Sequence, residues 1–140
     1  MTRFFSMPQA SPLRWLLAAA ALAAAGAHIP LIGPHLDEAP YMGTLFSLLT
    51  VACVALAIMA LVRDSQAVYV SAAITCGLAI AGYAATRLVA FPMLADDVGN
   101  WLEPLGITSI VSEAVVVVTA AMVLHRPRTV QSRRIVGPTS

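Results

Sequence analysis

Metal-binding side chains are concentrated in one short segment of the chain, HIPLIGPHLDEAPYMG at 28–43. Its residues His28, His35 and Glu38 carry imidazole and carboxylate groups, which zinc and other divalent metals prefer, and Met42 adds a thioether that suits copper. The two histidines do not have the i, i+4 spacing of a helical zinc site. Two interpretations therefore stay open: a metal site, and a solvated loop whose acids lie at the start of the next helix.

A second group of polar residues interrupts the long apolar segments. Arg87 and Glu113 are charged, and a charge inside the bilayer costs about 2.5–3.5 kcal/mol on insertion scales, so each needs a partner or a purpose. Helix rise places His28 at the predicted depth of Arg87 and Tyr83 at that of Glu113, so these four residues form one predicted polar cluster. The cluster is either structural or a polar cavity that binds an ion, a proton or a small ligand. In the structural interpretation, Arg87 pairs with Glu113 or reaches the lipid headgroups.

The two cysteines are predicted to lie at the same depth in neighbouring helices. Cys53 comes nine residues before Val62, and Cys76 comes nine residues after Ala67, so an antiparallel arrangement brings them level. Buried cysteine usually acts as a small apolar residue, and a redox or metal role is the alternative.

The sequence disfavours several other chemistries. Bis-histidine haem needs histidines that face each other from different helices, whereas His28 and His35 share one region and His125 is predicted at the opposite membrane face. The sequence has no phosphate-binding loop, serine nucleophile elbow, His-Glu-x-x-His or Cys-x-x-Cys motif, so we expect no enzymatic activity. All eight basic residues are arginine and the net charge is +1, so we expect no nucleic-acid partner.

Four apolar segments carry these polar residues. Of the 140 residues, 59% are apolar and only 11% are charged, whereas soluble domains are about one quarter charged. A helix needs about 20 apolar residues to span the bilayer core, and short connections make successive helices antiparallel. The sequence therefore predicts an all-α, integral membrane four-helix bundle with up-down-up-down topology, in contact with the lipid bilayer. The predicted spans are 13–32, 41–62, 67–91 and 105–124, with terminal tails at 1–12 and 125–140.

The connection between the first two spans is rich in proline and glycine. Pro30, Gly33, Pro34 and Pro40 argue against a continuous helix, because proline lacks an amide donor and clashes with the preceding turn. We therefore expect a compact, re-entrant cap over one end of the bundle.

The distribution of arginine predicts the orientation in the membrane. Seven arginines fall on one side of the predicted bundle: Arg3, Arg14, Arg63, Arg126, Arg128, Arg133 and Arg134. The connections on the other side carry mainly acidic residues: Asp37, Glu38, Asp96, Asp97 and Glu103. By the positive-inside rule, both termini are cytoplasmic and the cap faces outward.

The first span has a second interpretation, as a signal peptide. The segment RWLLAAAALAAAGA has a basic flank, an apolar core and a small-residue end, and cleavage after Ala27 would make His28 the first residue of the mature chain. Against this, the apolar segment continues to Ile32 and three further spans follow.

Three motifs resemble those of a group of uncharacterised small four-helix integral membrane proteins of actinobacterial type. They are HLDEAPYMGTLF at 35–46, GYAATRLVAFP at 82–92 and WLEPLGITSIVSEAVVVV at 101–118. The resemblance implies a multi-pass protein of a bacterial plasma membrane with four spans. It implies no activity.

Two functional hypotheses follow. The first is a non-enzymatic accessory or assembly subunit, whose alanine-rich helix faces pack against another membrane protein or a second copy of the chain. The second is a small module that binds or transports a metal ion or another small ligand through His28, His35, Glu38 and Glu113.

Overall fold

The computed structural model describes residues 11–126, and these residues form a bundle of four α-helices. The helices are α1 Leu13–Glu38, α2 Pro40–Val62, α3 Gln66–Leu88 and α4 Pro104–Leu124, with a short 3-10 helix at Ala95–Asp97 between α3 and α4. All four α-helices are long and apolar enough to cross a membrane. The prediction of an all-α, four-helix membrane bundle is confirmed. Most of the two predicted tails, 1–10 and 127–140, lies outside the described residues.

The predicted re-entrant cap between the first two spans is wrong, because α1 continues as a helix to Glu38 and only Ala39 separates it from α2. Both internal prolines, Pro30 and Pro34, lie on an exposed face of α1, so the carbonyls that lose their amide partners are not trapped in the core. Helices that cross membranes tolerate proline in this way when neighbouring groups re-satisfy the backbone. Pro40 is at the first turn of α2, where no amide donor is needed.

Small residues hold α1 against its neighbours. The alanine-rich face of α1 is buried inside the bundle, where it contacts α2 and α4. Close approach is strictest where α1 meets the start of α2, because a Cβ built on Gly43 would lie 2.6 Å from the backbone nitrogen of Leu36. Packing of small residues thus joins α1 to the other helices of the same chain. By contrast, α2 and α3 contact each other least of all neighbouring helices, and a gap opens between them.

The antiparallel helices give the bundle two chemically different ends. We call the end formed by residues 37–41 and 89–103 the acidic end, and the end formed by residues 11–14, 63–66 and 125–126 the basic end.

At the basic end, Asp64 is buried, with only 2% of its surface exposed. Its carboxylate accepts a hydrogen bond of 3.0 Å from the backbone nitrogen of Ser11 and another from the hydroxyl of Tyr69, and a guanidinium nitrogen of Arg14 lies 3.8 Å away. These contacts join the start of α1 to the α2–α3 connection.

Candidate binding pocket

The gap between α2 and α3 is a pocket of about 400 Å³ in the half of the bundle near the acidic end. Its side walls are apolar and include Leu45 and Leu48 of α2 and Leu78 of α3. These three leucines are 55%, 62% and 69% exposed, so the walls reach the outer, lipid-facing surface of the bundle. The pocket therefore has a sideways opening toward the apolar part of the bilayer.

The deep end of the pocket holds a buried His28–Glu113 pair. Nε2 of His28 and Oε1 of Glu113 are 2.9 Å apart, and the two residues are only 3% and 1% exposed. His28 lies ten residues before the end of α1 at Glu38, and Glu113 lies nine residues after the start of α4 at Pro104. At 1.5 Å per residue both are about 14 Å from the acidic ends of their helices. The turns of α1 beyond Ile32, the predicted end of the first span, thus place His28 level with Glu113.

His28 keeps one polar atom free. Its Nδ1 is buried and has no hydrogen-bond partner among the described residues. Leaving a buried polar atom unpaired costs about 1–3 kcal/mol, so the arrangement is not the one that stability alone would favour. The ring itself is held by Phe46, whose centroid lies 5.5 Å away in a stacked arrangement.

His35 lies higher on the same face of α1 and also lines the pocket. Its ring meets the edge of Phe46 at 4.9 Å, so the phenyl ring sits between the two histidines. Nδ1 of His35 is 2.8 Å from the carbonyl oxygen of Leu31, an acceptor, so Nδ1 carries the proton and the neutral ring keeps a lone pair on Nε2.

Arg87 lies in the last turn of α3, in the part of the pocket nearest the acidic end, which we call the mouth. It pairs with two carboxylates of the α3–α4 connection. Nη1 is 2.8 Å from Oδ1 of Asp97, and Nη2 is 2.7 Å from Oε2 of Glu103. The backbone supports this fold-back, since the amide of Gly99 donates to the carbonyl of Arg87 at 2.9 Å. Nε of Arg87 is buried and has no hydrogen-bond partner in the described part of the chain.

Tyr83 is the fourth member of the predicted polar cluster. Its ring lies 4.4 Å from the guanidinium carbon of Arg87, and its hydroxyl donates to the carbonyl of Trp101 at 3.1 Å. The ring also packs against α4, where a Cβ built on Gly106 would lie 2.5 Å from a ring carbon.

All four residues of the predicted polar cluster line the pocket, but they form two layers. His28 and Glu113 make the deep layer, and Arg87 and Tyr83 make the layer at the mouth. The predicted Arg87–Glu113 ion pair is wrong, because each partner is engaged elsewhere. Asp97 and Glu103 were not predicted as partners of Arg87, although the sequence places an excess of acids in a short connection next to a single arginine.

The residues considered as metal ligands are only partly brought together. His28 and His35 line the pocket, whereas Glu38 is exposed at the end of α1 and does not. Within residues 11–126, no group of three or more histidine, cysteine, aspartate or glutamate side chains is placed to hold a metal ion.

Cys53 and Cys76 are free thiols, fully buried in the bundle core. They belong to the same apolar core of small residues, next to the deep end of the pocket rather than on its wall. Their shared depth agrees with the antiparallel packing of α2 and α3.

Comparisons with known proteins identify no family for this chain. No protein-family model, curated protein or solved structure matches it. The resemblance to small actinobacterial membrane proteins therefore stays a prediction, and what is shown is a small four-span membrane protein with an amphipathic pocket at one end.

Proposed function

We propose that this four-span protein binds an amphipathic small molecule that enters the pocket sideways from the surrounding lipid. The observation that carries the proposal is the pocket itself, which combines apolar walls open to the bundle surface with a buried His28–Glu113 pair at its deep end. Ligand sites typically have volumes of roughly 300–1,000 Å³, mostly apolar walls and a few convergent polar groups. The pocket of about 400 Å³ fits that description.

Energetics also support a binding role for the deep pair. A buried ion pair is often no more stabilising than well-packed apolar residues of similar volume. His28 and Glu113 come from α1 and α4, which already pack through small residues along their length, so the pair is not needed to join these helices. A ligand that uses the unpartnered Nδ1 gives this costly arrangement a purpose.

The proposal favours the small-ligand hypothesis over the accessory-subunit hypothesis. An accessory subunit needs an alanine-rich face that is available to a partner, and that face of α1 is buried against α2 and α4. Membership of a larger complex, like metal binding at His28, His35 and Glu38, stays a prediction. The proposed role is binding, without catalysis.

We further propose that the acidic end faces outward from a bacterial plasma membrane and that both termini are cytoplasmic, as the arginine distribution predicts. The native cysteines are fully buried, so engineered surface cysteines report orientation with little background. We expect a membrane-impermeant maleimide to label Asp96→Cys in intact cells and to label Arg63→Cys only after lysis. The opposite pattern would refute the orientation and leave the binding proposal standing.

Photo-crosslinking tests the binding proposal. The protein is reconstituted in phosphatidylcholine nanodiscs and exposed to a diazirine derivative of decan-1-ol, and mass spectrometry locates the labelled residues. We expect saturable labelling of the pocket walls, at Leu45, Leu48 or Leu78, which unlabelled decan-1-ol competes away. Uniform labelling of all lipid-facing positions without competition would refute the proposal.

Two glycines of α3 give a matched pair of variants for this experiment. A Cβ built on Gly82 or Gly77 meets no atom within 4 Å, so both tolerate a larger side chain, but only Gly82 lines the pocket. We expect Gly82→Leu to abolish the competable labelling and Gly77→Leu to preserve it. Equal labelling in the two variants would contradict the assignment of the site.

A further inference from the structure

The charges that line the pocket do not cancel. At the mouth, the single guanidinium of Arg87 faces two carboxylates, those of Asp97 and Glu103, whose side chains are 25% and 30% exposed. The mouth therefore carries one excess negative charge with both acids ionised. The deep pair adds no net charge when both residues are charged or both are neutral. It adds one further negative charge when Glu113 is ionised and His28 is neutral. With His35 neutral, the net charge of the pocket is negative in each of these states.

The nitrogen atoms that the two histidines leave unpaired also disfavour an anionic ligand. When His28 is neutral, its Nε2–H donates to Glu113 and its Nδ1 is an acceptor without a partner. In the neutral ring of His35, Nδ1–H donates to the carbonyl of Leu31 and Nε2 is also an acceptor. With both rings neutral, neither nitrogen offers a hydrogen to an anionic head group.

An anionic head group is disfavoured because, in the described part of the chain, every arginine that lines the pocket already pairs with carboxylates. Among the described residues, Arg87 is the only arginine in the pocket wall, and both of its terminal nitrogens already bind carboxylates. A fatty acid or an acidic phospholipid would find only the buried Nε–H of Arg87 unpaired and would face the two carboxylates that already bind this guanidinium. By contrast, the ring of Tyr83 already holds the guanidinium of Arg87 at 4.4 Å, which shows that the mouth accommodates positive charge.

We propose that the ligand is an amphipathic cation, an amine or quaternary ammonium compound with an apolar tail. Its head lies at the mouth beside Asp97 and Glu103, and its tail follows the apolar walls between α2 and α3. Charge complementarity at the mouth and the apolar walls that receive the tail carry this inference. It rests on the binding function proposed above, because it names the chemical class of ligand for the same pocket.

Competition between matched probes tests the charge of the ligand. Decyltrimethylammonium, decan-1-ol and decyl sulfate share one tail and differ in head charge, and each competes with the diazirine derivative of decan-1-ol in phosphatidylcholine nanodiscs. We expect decyltrimethylammonium to compete about tenfold more strongly than decan-1-ol, which corresponds to 1.4 kcal/mol, and decyl sulfate to compete least. Equal competition by the three probes would overturn the inference and leave the binding function intact, whereas the absence of any competition would overturn both.

Neighbouring aspartates in the 3-10 helix provide the matched variants. Asp97 lines the pocket and pairs with Arg87, whereas Asp96 is exposed and lies outside the pocket wall. We expect Asp97→Asn to reduce the preference for decyltrimethylammonium over decan-1-ol about fivefold, and Asp96→Asn to leave that preference unchanged. Glu103→Gln should repeat the result of Asp97→Asn from a different segment. A cation preference that survives both pocket variants would contradict the placement of the head group.

Discussion

Two buried carboxylates, at opposite ends of the bundle, meet very different surroundings. Asp64 at the basic end is bound by a backbone amide, a tyrosine hydroxyl and a nearby guanidinium, all from the chain itself. Glu113 in the acidic half is bound by His28, which leaves an unpartnered nitrogen beside a pocket. The comparison teaches that burial of a charge does not by itself mark a functional site. What distinguishes the two is whether the protein supplies all the partners.

Removal of the basic-end carboxylate should have the largest effect on stability. Asp64→Leu leaves the buried amide of Ser11 and the buried hydroxyl of Tyr69 without an acceptor and separates α1 from the α2–α3 connection. We expect a loss of about 3–5 kcal/mol in the free energy of unfolding, measured by titration of the protein from mild detergent into dodecyl sulfate. A loss below about 1 kcal/mol would mean that this cluster is not the structural clamp that the contacts indicate.

Replacement of both residues of the deep pair should not lower the free energy of unfolding, in contrast to removal of Asp64. The double variant His28→Leu/Glu113→Leu removes both charges together and fills space at the deep end of the pocket. We expect stability to stay constant or to rise by about 1–4 kcal/mol, while competable labelling of the pocket is lost. The same unfolding titration measures the first effect, and the crosslinking experiment measures the second. A strong loss of stability would place Glu113 in the same structural class as Asp64.

Removal of a single tyrosine hydroxyl at either end should show the same difference in stability between the two ends, with smaller effects. Tyr69 is fully buried and donates to Asp64, whereas Tyr83 is half-buried and donates to a backbone carbonyl near the surface. We expect Tyr69→Phe to cost about 1.5–3 kcal/mol of unfolding free energy and Tyr83→Phe to cost about 0.5–1 kcal/mol. If Tyr83→Phe costs as much as Tyr69→Phe, the mouth of the pocket is as tightly built as the basic end.

A single methyl group should test how closely α1 and α2 must approach. A Cβ at Gly43 would lie 2.6 Å from both the Cγ and the backbone nitrogen of Leu36, and the backbone cannot move aside, whereas a Cβ at Gly77 meets no atom within 4 Å. Gly43→Ala should therefore lower the free energy of unfolding by about 1–3 kcal/mol. Gly77→Ala should leave it unchanged or raise it by about 1 kcal/mol, because alanine is the better helix former.

Much of the fold could be predicted from the sequence, and the reason is the solvent. In lipid, every backbone polar group must be satisfied within the segment, so a long apolar segment has to be helical. The exception was the end of α1, where rules for proline in soluble helices predicted an irregular cap. The structure keeps Pro30 and Pro34 on the exposed face of a continuous helix instead.

The candidate site could be predicted only as a set of residues. Polar side chains in apolar segments are visible in any sequence because their cost in the membrane is large, and this placed His28, Arg87 and Glu113 among the candidates. Their pairing depended on depth and helix rotation. The continuation of α1 moved His28 level with Glu113, and the fold-back of the α3–α4 connection brought Asp97 and Glu103 to Arg87.

The sequence by itself determined that the chain forms four membrane-spanning helices and that a few costly polar groups lie within them. Both follow from the transfer of side chains and backbone between water and lipid, which is a property of each segment alone. Only the tertiary structure decided which polar group meets which, and that α2 and α3 part to leave an amphipathic pocket. These outcomes depend on where each helix ends and how the small residues of α1 pack, and such distances between segments are not encoded in any one segment.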